Sequence, residues 1–575
     1  EEFYVITIDI DTGGTFTDGF FVRNGRIEMV KVDTTPHDLT VCFMNCIEEG
    51  AKRFGISLQQ MLRETEVVRF SSTIGTNILI QRSGSRLGLL VTRGFEKSLY
   101  SYQERNAVLD FIIPNDMVEG IQEEVDEHGN QVRVPDEEEV RSAVHRLLEK
   151  GARMVVVSLR RAYLNPANEQ KVKEIMEKEY PTYYLGAVPM LLSTEVSVIP
   201  DDMYRTNVAL LNAYIHRDMV RFLYKAEDNL RDRGYRKPLL IVQGDGGATR
   251  VAKTTAIRTL ASGPASGICG LAYLSKLYGF SNAIGLDIGG TSTDIGLVLE
   301  GNYIYNREPV VEGIPLKIPL IESISVGGGG GSIAKPKDND VQVGPESAGA
   351  MPGPVCYGLG GVEPTATDAC VVLGYIDPNY FLGGRRKLDS EKAYRAIKKK
   401  VADPLHISVE EAAYKIVKKI EELAAKTLEQ LVHEKGYEGK QFVLFSYGGG
   451  GGLYCCDIAD QVGISKIYYP SFAAVFSAFG SSSVDVVHTY ESSKRKILRR
   501  GMVSTELEEF NEVVRDLQTV ALRDMRGEGF PSEAVSFHLE LEVSSGSVST
   551  ILESPVLLKT EKDVESLLKS FAEAT

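Results

Sequence analysis

Asp11-Thr12-Gly13-Gly14-Thr15-Phe16-Thr17-Asp18 and Asp287-Ile288-Gly289-Gly290-Thr291-Ser292-Thr293-Asp294 are two copies of one pattern, identical at six of eight positions. Each copy gathers residue types suited to a nucleotide polyphosphate. Paired glycines let a backbone bend sharply and approach a ligand closely. The hydroxyls of Thr15, Thr17, Thr291 and Thr293 can donate to phosphate oxygens, and Asp11 and Asp287 can hold a magnesium ion or its waters. A third glycine-rich stretch, Ser446-Tyr447-Gly448-Gly449-Gly450-Gly451-Gly452, presents bare backbone on which a flat ring or a phosphate can rest.

The elements around each copy decide what kind of site this is. Tyr4-Val5-Ile6-Thr7-Ile8 precedes the first copy and Ala283-Ile284-Gly285-Leu286 the second; Gly19-Phe20-Phe21-Val22 and Ile295-Gly296-Leu297-Val298 follow them. Polar turns, Asn24-Gly25 and Glu300-Gly301-Asn302, then lead into a third strand-like run. Each motif therefore reads as the tip of a hairpin in a β-meander. A Rossmann fingerprint or a P-loop instead needs a helix directly after its glycines, and no Walker lysine follows here.

Elsewhere the pattern predicts helices over 41–54, 136–150, 166–179 and about 201–232, and strands over 67–71, 87–92, 154–158, 183–188 and 239–243. A helix to 277 is expected just after Ser262-Gly263-Pro264. Val326–Ser332, with five successive glycines, reads as a backbone-lined loop, and 335–364 as irregular but ordered. Ser408-Val409-Glu410-Glu411 has the form of a capping box opening a helix that stops at Gly436. A strand over 442–445 enters the third glycine stretch, and a helix follows it to about 462. Residues 496–575 read as a helix and an antiparallel strand pair, with an end that suggests either a domain cut partway or completion by another polypeptide.

The chain has 575 residues and a net charge of −15, which argues against a broad nucleic-acid or anionic-membrane surface. No apolar run reaches membrane-spanning length and no signal-peptide pattern opens the sequence, so a cytoplasmic protein without nucleic-acid or membrane partners is expected. Seven scattered cysteines without CxxC spacing read as reduced, mostly buried thiols, and eight histidines form no HxxxH or HxH pair.

Two phosphate hairpins followed by a strand–glycine–helix unit form an order that resembles the actin/Hsp70/sugar-kinase-type ATPases, in which two RNase H-like domains close on ATP. The resemblance narrows over roughly residues 4–490. Gly75-Thr76-Asn77, Thr92-Arg93-Gly94-Phe95, Ser262-Gly263-Pro264-Ala265, Gly344-Pro345-Glu346-Ser347-Ala348-Gly349, Pro364-Thr365-Ala366-Thr367-Asp368-Ala369 and Phe381-Leu382-Gly383-Gly384, with the two hairpins, resemble the hydantoinase A/5-oxoprolinase family. Phe445-Ser446-Tyr447-Gly448-Gly449, Ser477-Ala478-Phe479-Gly480 and Ala402-Asp403-Pro404-Leu405 are most like its ATP-dependent ketone carboxylases.

That resemblance implies an α/β chain with duplicated RNase H-like domains and a cleft: an N-terminal one over 1–195, a second over 196–495, and an α+β segment over 496–575. It implies ATP with Mg2+ or Mn2+ on Asp11 and Asp287, and phosphates cradled by Gly13, Gly14, Thr15, Gly289, Gly290 and Thr291. Gly448, Gly449 and Gly450 would lie behind the adenosine. Asp18 and Asp294 would orient the acceptor, or only cap their hairpins. The implied activity is phosphorylation of an acetone- or acetophenone-like enolate, of bicarbonate, or of both, within a hetero-oligomer in which a partner subunit would be the place for another divalent metal. Cyclic-amide hydrolysis and a catalytically silent sibling are the other readings. The family's Asp and His before the polyglycine loop are Glu322 and Ile324 here, so chemistry leaning on that His is not expected. Glu322 is a candidate base or backbone cap, Arg93 a candidate phosphate contact or surface residue, and His216 a packed histidine before it is a ligand.

Overall fold

The computed structural model describes residues 5–101, 107–181, 188–502, 504–546 and 548–574. The strand expected at 183–188 lies almost wholly outside them. Contacts divide the chain into two units, one of residues 1–85 with 214–487, the other of 86–213 with 488–575.

Two sheets build the first unit. β1 (Ile6–Thr12), β2 (Phe16–Arg23) and β3 (Arg26–Asp33) form an antiparallel meander, α1 (Leu39–Phe54) follows, and β4 (Thr65–Ser72) returns parallel to β1. β5 (Leu239–Val242) pairs parallel to β4, and β6 (Ala248–Arg250) closes the edge. After α2 (Ser262–Tyr278), the second sheet repeats the plan with β7 (Ala283–Ile288), β8 (Thr293–Leu299) and the two-residue β9 (Asn302–Tyr303). β10 (Ser323–Val326) also pairs with β8. α3 (Ala366–Val372) and α4 (Val409–Glu434) precede β11 (Val443–Tyr447), which lies parallel to β7; α5 (Gly451–Val462) then leads to β12 (Ile467–Tyr468), parallel to β11. Strand orders β3-β2-β1-β4-β5 and β9-β8-β7-β11-β12 are the same RNase H-like order, so the repeated motif reports a repeated fold.

Alternation along the strands aims the motifs. Ile6, Ile8 and Ile10 are fully buried on one face of β1, whereas Asp9 and Asp11 project from the other. Ile284, Leu286 and Ile288 likewise enter a core with α4, leaving Asp287 on the opposite face. On those opposite faces lie α2, against β7 and β8, and α6 (Phe476–Ser482), against β1, β2 and β4. An aromatic cluster of Phe20, Phe445, Tyr447, Phe476 and Phe479 fills the space around them.

The first RNase H-like sheet draws β5 and β6 from the middle of the chain. The second unit contains a parallel sheet ordered 190–192, 154–158, 87–92, 118–121, flanked by helices Glu137–Glu149 and Ala167–Glu179. It also holds helix Ser504–Gly527, the hairpin of Leu539–Ser545 with Val548–Ser554, and a helix the pattern did not disclose, Glu561–Ala574. That helix packs Val564 and Leu567 into a core shared with the hairpin's Leu552. Ser262 opens α2 instead of preceding it, with Pro264 in the first turn where its missing N–H is harmless. The expected irregular stretch from 335 begins as a hairpin of Ser332–Lys337 with Asp340–Ser347.

α2 and α6 cross with almost nothing between them. A Cβ on Gly480 would fall on the Ser266 carbonyl oxygen, and one on Gly270 would lie 2.9 Å from the Gly480 Cα. Gly480→Ala is therefore expected to lower the melting temperature sharply, by overpacking worth roughly 3 kcal/mol or more, or to prevent soluble expression. Gly449→Ala, where a Cβ meets nothing within 4 Å, should melt as the parent does. Circular-dichroism melts of both variants check the contrast.

Candidate nucleotide site

Both hairpins have one register. Asp11 stands opposite Asp18 and Thr12 opposite Thr17; Asp287 stands opposite Asp294 and Ile288 opposite Thr293. The turns close alike, with Gly13 N–H donating to the Phe16 carbonyl and Gly289 N–H to the Ser292 carbonyl, each at 3.0 Å. The tips meet. Thr15 Oγ1 lies 2.8 Å from where a Cβ on Gly290 would stand, and Thr291 Oγ1 3.8 Å from where one on Gly14 would stand. Glycine is what allows this approach.

The tips are held from behind by different means. Thr34 braces the first: its N–H donates to the Thr15 carbonyl at 3.0 Å and its hydroxyl to the Gly13 carbonyl at 2.9 Å. The polyglycine loop braces the second, with Gly330 N–H on the Gly289 carbonyl at 3.0 Å and Gly331 N–H on the Gly290 carbonyl at 2.6 Å. Thr367 in turn holds the Gly330 carbonyl through its N–H at 2.7 Å and its hydroxyl at 2.8 Å. Thr17 and Thr293, expected to meet phosphate, are fully buried. Thr17 bonds to Thr34 Oγ1 at 3.1 Å, and Thr293 donates to the Gly328 carbonyl. Their hydroxyls act inside the protein, whereas Thr291 is exposed and Thr15 half-buried at the tips.

Four carboxylates share this space. Burial, chiefly, pushes Asp11 up to about 7 and Asp287 up to about 8 from an ordinary value of 3.8; neighbouring aspartates push further and Lys31 opposes. Asp18 and Asp294 are raised too, again mainly by burial. Ser71 Oγ donates to Asp11 Oδ1 at 2.6 Å. Lys31, which the motif reading missed, pairs with Asp18 at 2.6 Å from the directly opposite position of β3 and donates to the Ala474 carbonyl at 2.9 Å. It is a lone lysine without a motif; its signal was a charge inside an alternating strand.

Among the described residues no three His, Cys, Asp or Glu side chains converge as a self-sufficient metal site. Two carboxylates beside the paired-glycine tips nonetheless fit a magnesium-type ion, which keeps its waters and takes only one or two carboxylates beside a ligand's phosphate oxygens. The third glycine stretch lies against the same centre. Ser446 and Tyr447 end β11, and Gly451 and Gly452 already belong to α5, which leaves Gly448–Gly450 as the loop. Gly448 has φ of +78°, and a Cβ there would overlap Asp287 Oδ1. Gly450 N–H donates to the Ile288 carbonyl at 2.8 Å. Gly449 is exposed beside open space, so the loop offers bare backbone to a ligand.

Other candidates are placed elsewhere. Glu322 is paired with Lys435 at 2.7 Å, and Arg93 with Glu139 in the second unit. His216 is lowered by burial and has the packed environment expected of it. Cys455 is buried, whereas the adjacent Cys456 is exposed.

Comparison with known proteins follows this geometry. The hydantoinase/oxoprolinase pattern matches residues 205–490 and the hydantoinase/oxoprolinase N-terminal region residues 7–180. The chain is 38% identical to the acetophenone carboxylase gamma subunit of Aromatoleum aromaticum, over 98% of this chain and 80% of that subunit. A nucleotide-free acetone carboxylase structure, described as belonging to ATP-dependent acetone carboxylation, superposes with a TM-score of 0.87 at 29% identity, covering 99% of this chain and 84% of that one. The ATP-dependent caprolactamase of Pseudomonas jessenii gives 0.80 at 28%, covering 99% and 84%. No helix among the described residues is long and apolar enough to cross a membrane.

The raised aspartates fix how stability follows pH. An unfolded Asp ionises near 3.8, but Asp11 and Asp287 resist ionisation until about 7 and about 8. Their contribution is full below about pH 4, falls progressively above it as only the unfolded chain ionises, and is lost by pH 7 to 8. Asp287→Asn cannot ionise, so its melting temperature relative to the parent's, in the ligand-free chain, should be several degrees higher at pH 8.5 than at pH 5. Melts at the two pH values check this; an equal effect at both would contradict the electrostatic account.

Proposed function

This chain belongs to the hydantoinase/oxoprolinase family, and on that premise we propose that it is the ATP-hydrolysing subunit of a multi-subunit ketone carboxylase. It would move the ATP γ-phosphoryl group to an oxygen of a ketone enolate, of bicarbonate, or of both. The enolate carbon then bonds to the carboxyl carbon, and the transferred phosphoryl group leaves as inorganic phosphate, giving a 3-oxo acid. The observation that carries the reading is the meeting of the two hairpin tips beside the open backbone of Gly449.

Each residue has a part in that scheme. Gly13, Gly14 and Thr15 from one tip, and Gly289, Gly290 and Thr291 from the other, cradle the β- and γ-phosphates, while Gly448–Gly450 back the adenosine. Asp11 and Asp287 are the residues that would hold Mg2+ or Mn2+, whose charge would offset that of the phosphate oxygens. Asp18 and Asp294 orient the acceptor, with Lys31 fixing Asp18 through its 2.6 Å ion pair. Little covalent work falls to the protein in phosphoryl transfer; position and charge supply most of the acceleration.

A second reading, ATP-dependent opening of a cyclic amide, is favoured by the similarity to the caprolactamase across nearly the whole chain. Phosphate release by the chain purified with its partner subunits separates the two. Stimulation by a ketone together with bicarbonate is expected, and Asp287→Ala should reduce turnover by about 100-fold or more. Stimulation by a cyclic amide alone would move the assignment to the second reading. No stimulation, with turnover unchanged in Asp287→Ala, would overturn both and leave a catalytically silent sibling.

A further inference from the structure

The two aspartates proposed to hold the metal are joined through the helix crossing by a line of serines. Ser71 gives its only proton to Asp11 Oδ1 at 2.6 Å, and Ser266 gives its proton to the Ser262 carbonyl at 2.8 Å. Ser481, fully buried on α6, stands 3.2 Å from each of three groups: Ser71 Oγ, Ser266 Oγ and the Ser477 carbonyl. Ser477 Oγ is directed at Asp287 Oδ2 at 3.5 Å. With the Ser71 and Ser266 protons committed, all three neighbours of Ser481 are acceptors, and one hydroxyl proton must serve them.

We propose that Ser481 is a positioning residue that couples Asp11 to Asp287. The inference rests on the reading of this centre as the phosphate and metal site. Donation to Ser71 polarises its O–H and strengthens its grip on Asp11. Donation to the Ser477 carbonyl instead anchors the turn that aims Ser477 at Asp287. One proton cannot do both, so a change at either aspartate is felt at the other. The glycine contact of α2 with α6 makes the link possible, because a side chain at 480 would part the helices and break it. A serine that merely satisfied itself on the i−4 carbonyl of its own helix would leave Asp11 indifferent to its removal.

The test uses Ser481→Ala, Ser481→Thr and Ser71→Ala in the full chain with its partner subunits. Ser481→Ala is expected to lower kcat for phosphate release by roughly five- to tenfold with KM for ATP within about twofold. Ser481→Thr, which keeps the hydroxyl, should recover most of that loss. Ser71→Ala, which acts at the other end of the same bond, should fall in the same direction even where Ser481→Ala fails to fold. An unchanged kcat in both alanine variants, or a loss confined to KM, overturns the proposal. If the parent complex releases no phosphate, the site reading fails instead, and melting decides the coupling. The effects of Asp11→Asn and Asp287→Asn should then be less coupled in the Ser481→Ala background than in the parent; equal coupling in both overturns it.

Discussion

Where α2 crosses α6, the Ser266 carbonyl occupies the space that a side chain at residue 480 would fill. These two helices cover the inner faces of both sheets, so their spacing fixes how far β1 stands from β7. Asp11 and Asp287 project from those faces, and the hairpin tips meet because the strands behind them are held at that distance. A methyl group at the crossing would therefore be felt at Thr15 and Gly290, although neither is near it in sequence. Interiors are packed too densely to absorb such an insertion locally.

Duplication supplied two equal hairpins, and the surroundings made them unequal. One tip leans on the end of its own meander through Thr34; the other leans on the polyglycine loop, held by Thr367. Behind Thr367, the buried Asp368 carboxylate accepts from Thr365 N–H at 2.9 Å, Cys356 N–H at 2.7 Å and Val355 N–H at 3.1 Å. The second tip thus depends on a chain of backbone contacts reaching well beyond its sheet. The electrostatics are unequal as well. Lys31 pairs with Asp18, whereas Asp294 is met by the hydroxyls of Ser325 and Ser292, the latter at 3.2 Å. Four carboxylates beside one lysine form a centre that gains from a cation, and a polyphosphate brought without one would meet a repulsive field.

The duplicated motif, its hairpin setting and the helices at 41–54 and 408–436 were legible because each rests on local chemistry: glycine at the turn, Ser408 capping Glu411, alternation of Ile6, Ile8 and Ile10. Roles that depend on packing were not. Nothing in Thr-x-Thr distinguishes Thr15, near the surface, from Thr17, sealed behind it; the strand register decides, and only once the sheet exists. Lys31, Ser71 and Ser481 carry no motif, since their partners lie 13, 60 and 410 residues away. The non-contiguous first sheet escaped for the same reason: β5 joins β4 across residues that fold into another unit.

On the proposed reading, the residues before the polyglycine loop would border the acceptor. Glu322 is held by Lys435, and Ile324 packs against the core beneath β8, so neither offers a proton-transfer group at the loop's edge. What faces the second hairpin there is backbone, from Gly328 to Gly331, and a Cβ at 329, 330 or 331 would come within 3 Å of a neighbouring atom. Its peptide groups are spent inside the protein, Gly329 N–H on Ser332 Oγ and the Gly330 and Gly331 N–H groups on the second tip. On the proposed reading, backbone bracing of this kind can hold the phosphoryl donor in one place across a family while side chains elsewhere decide the acceptor.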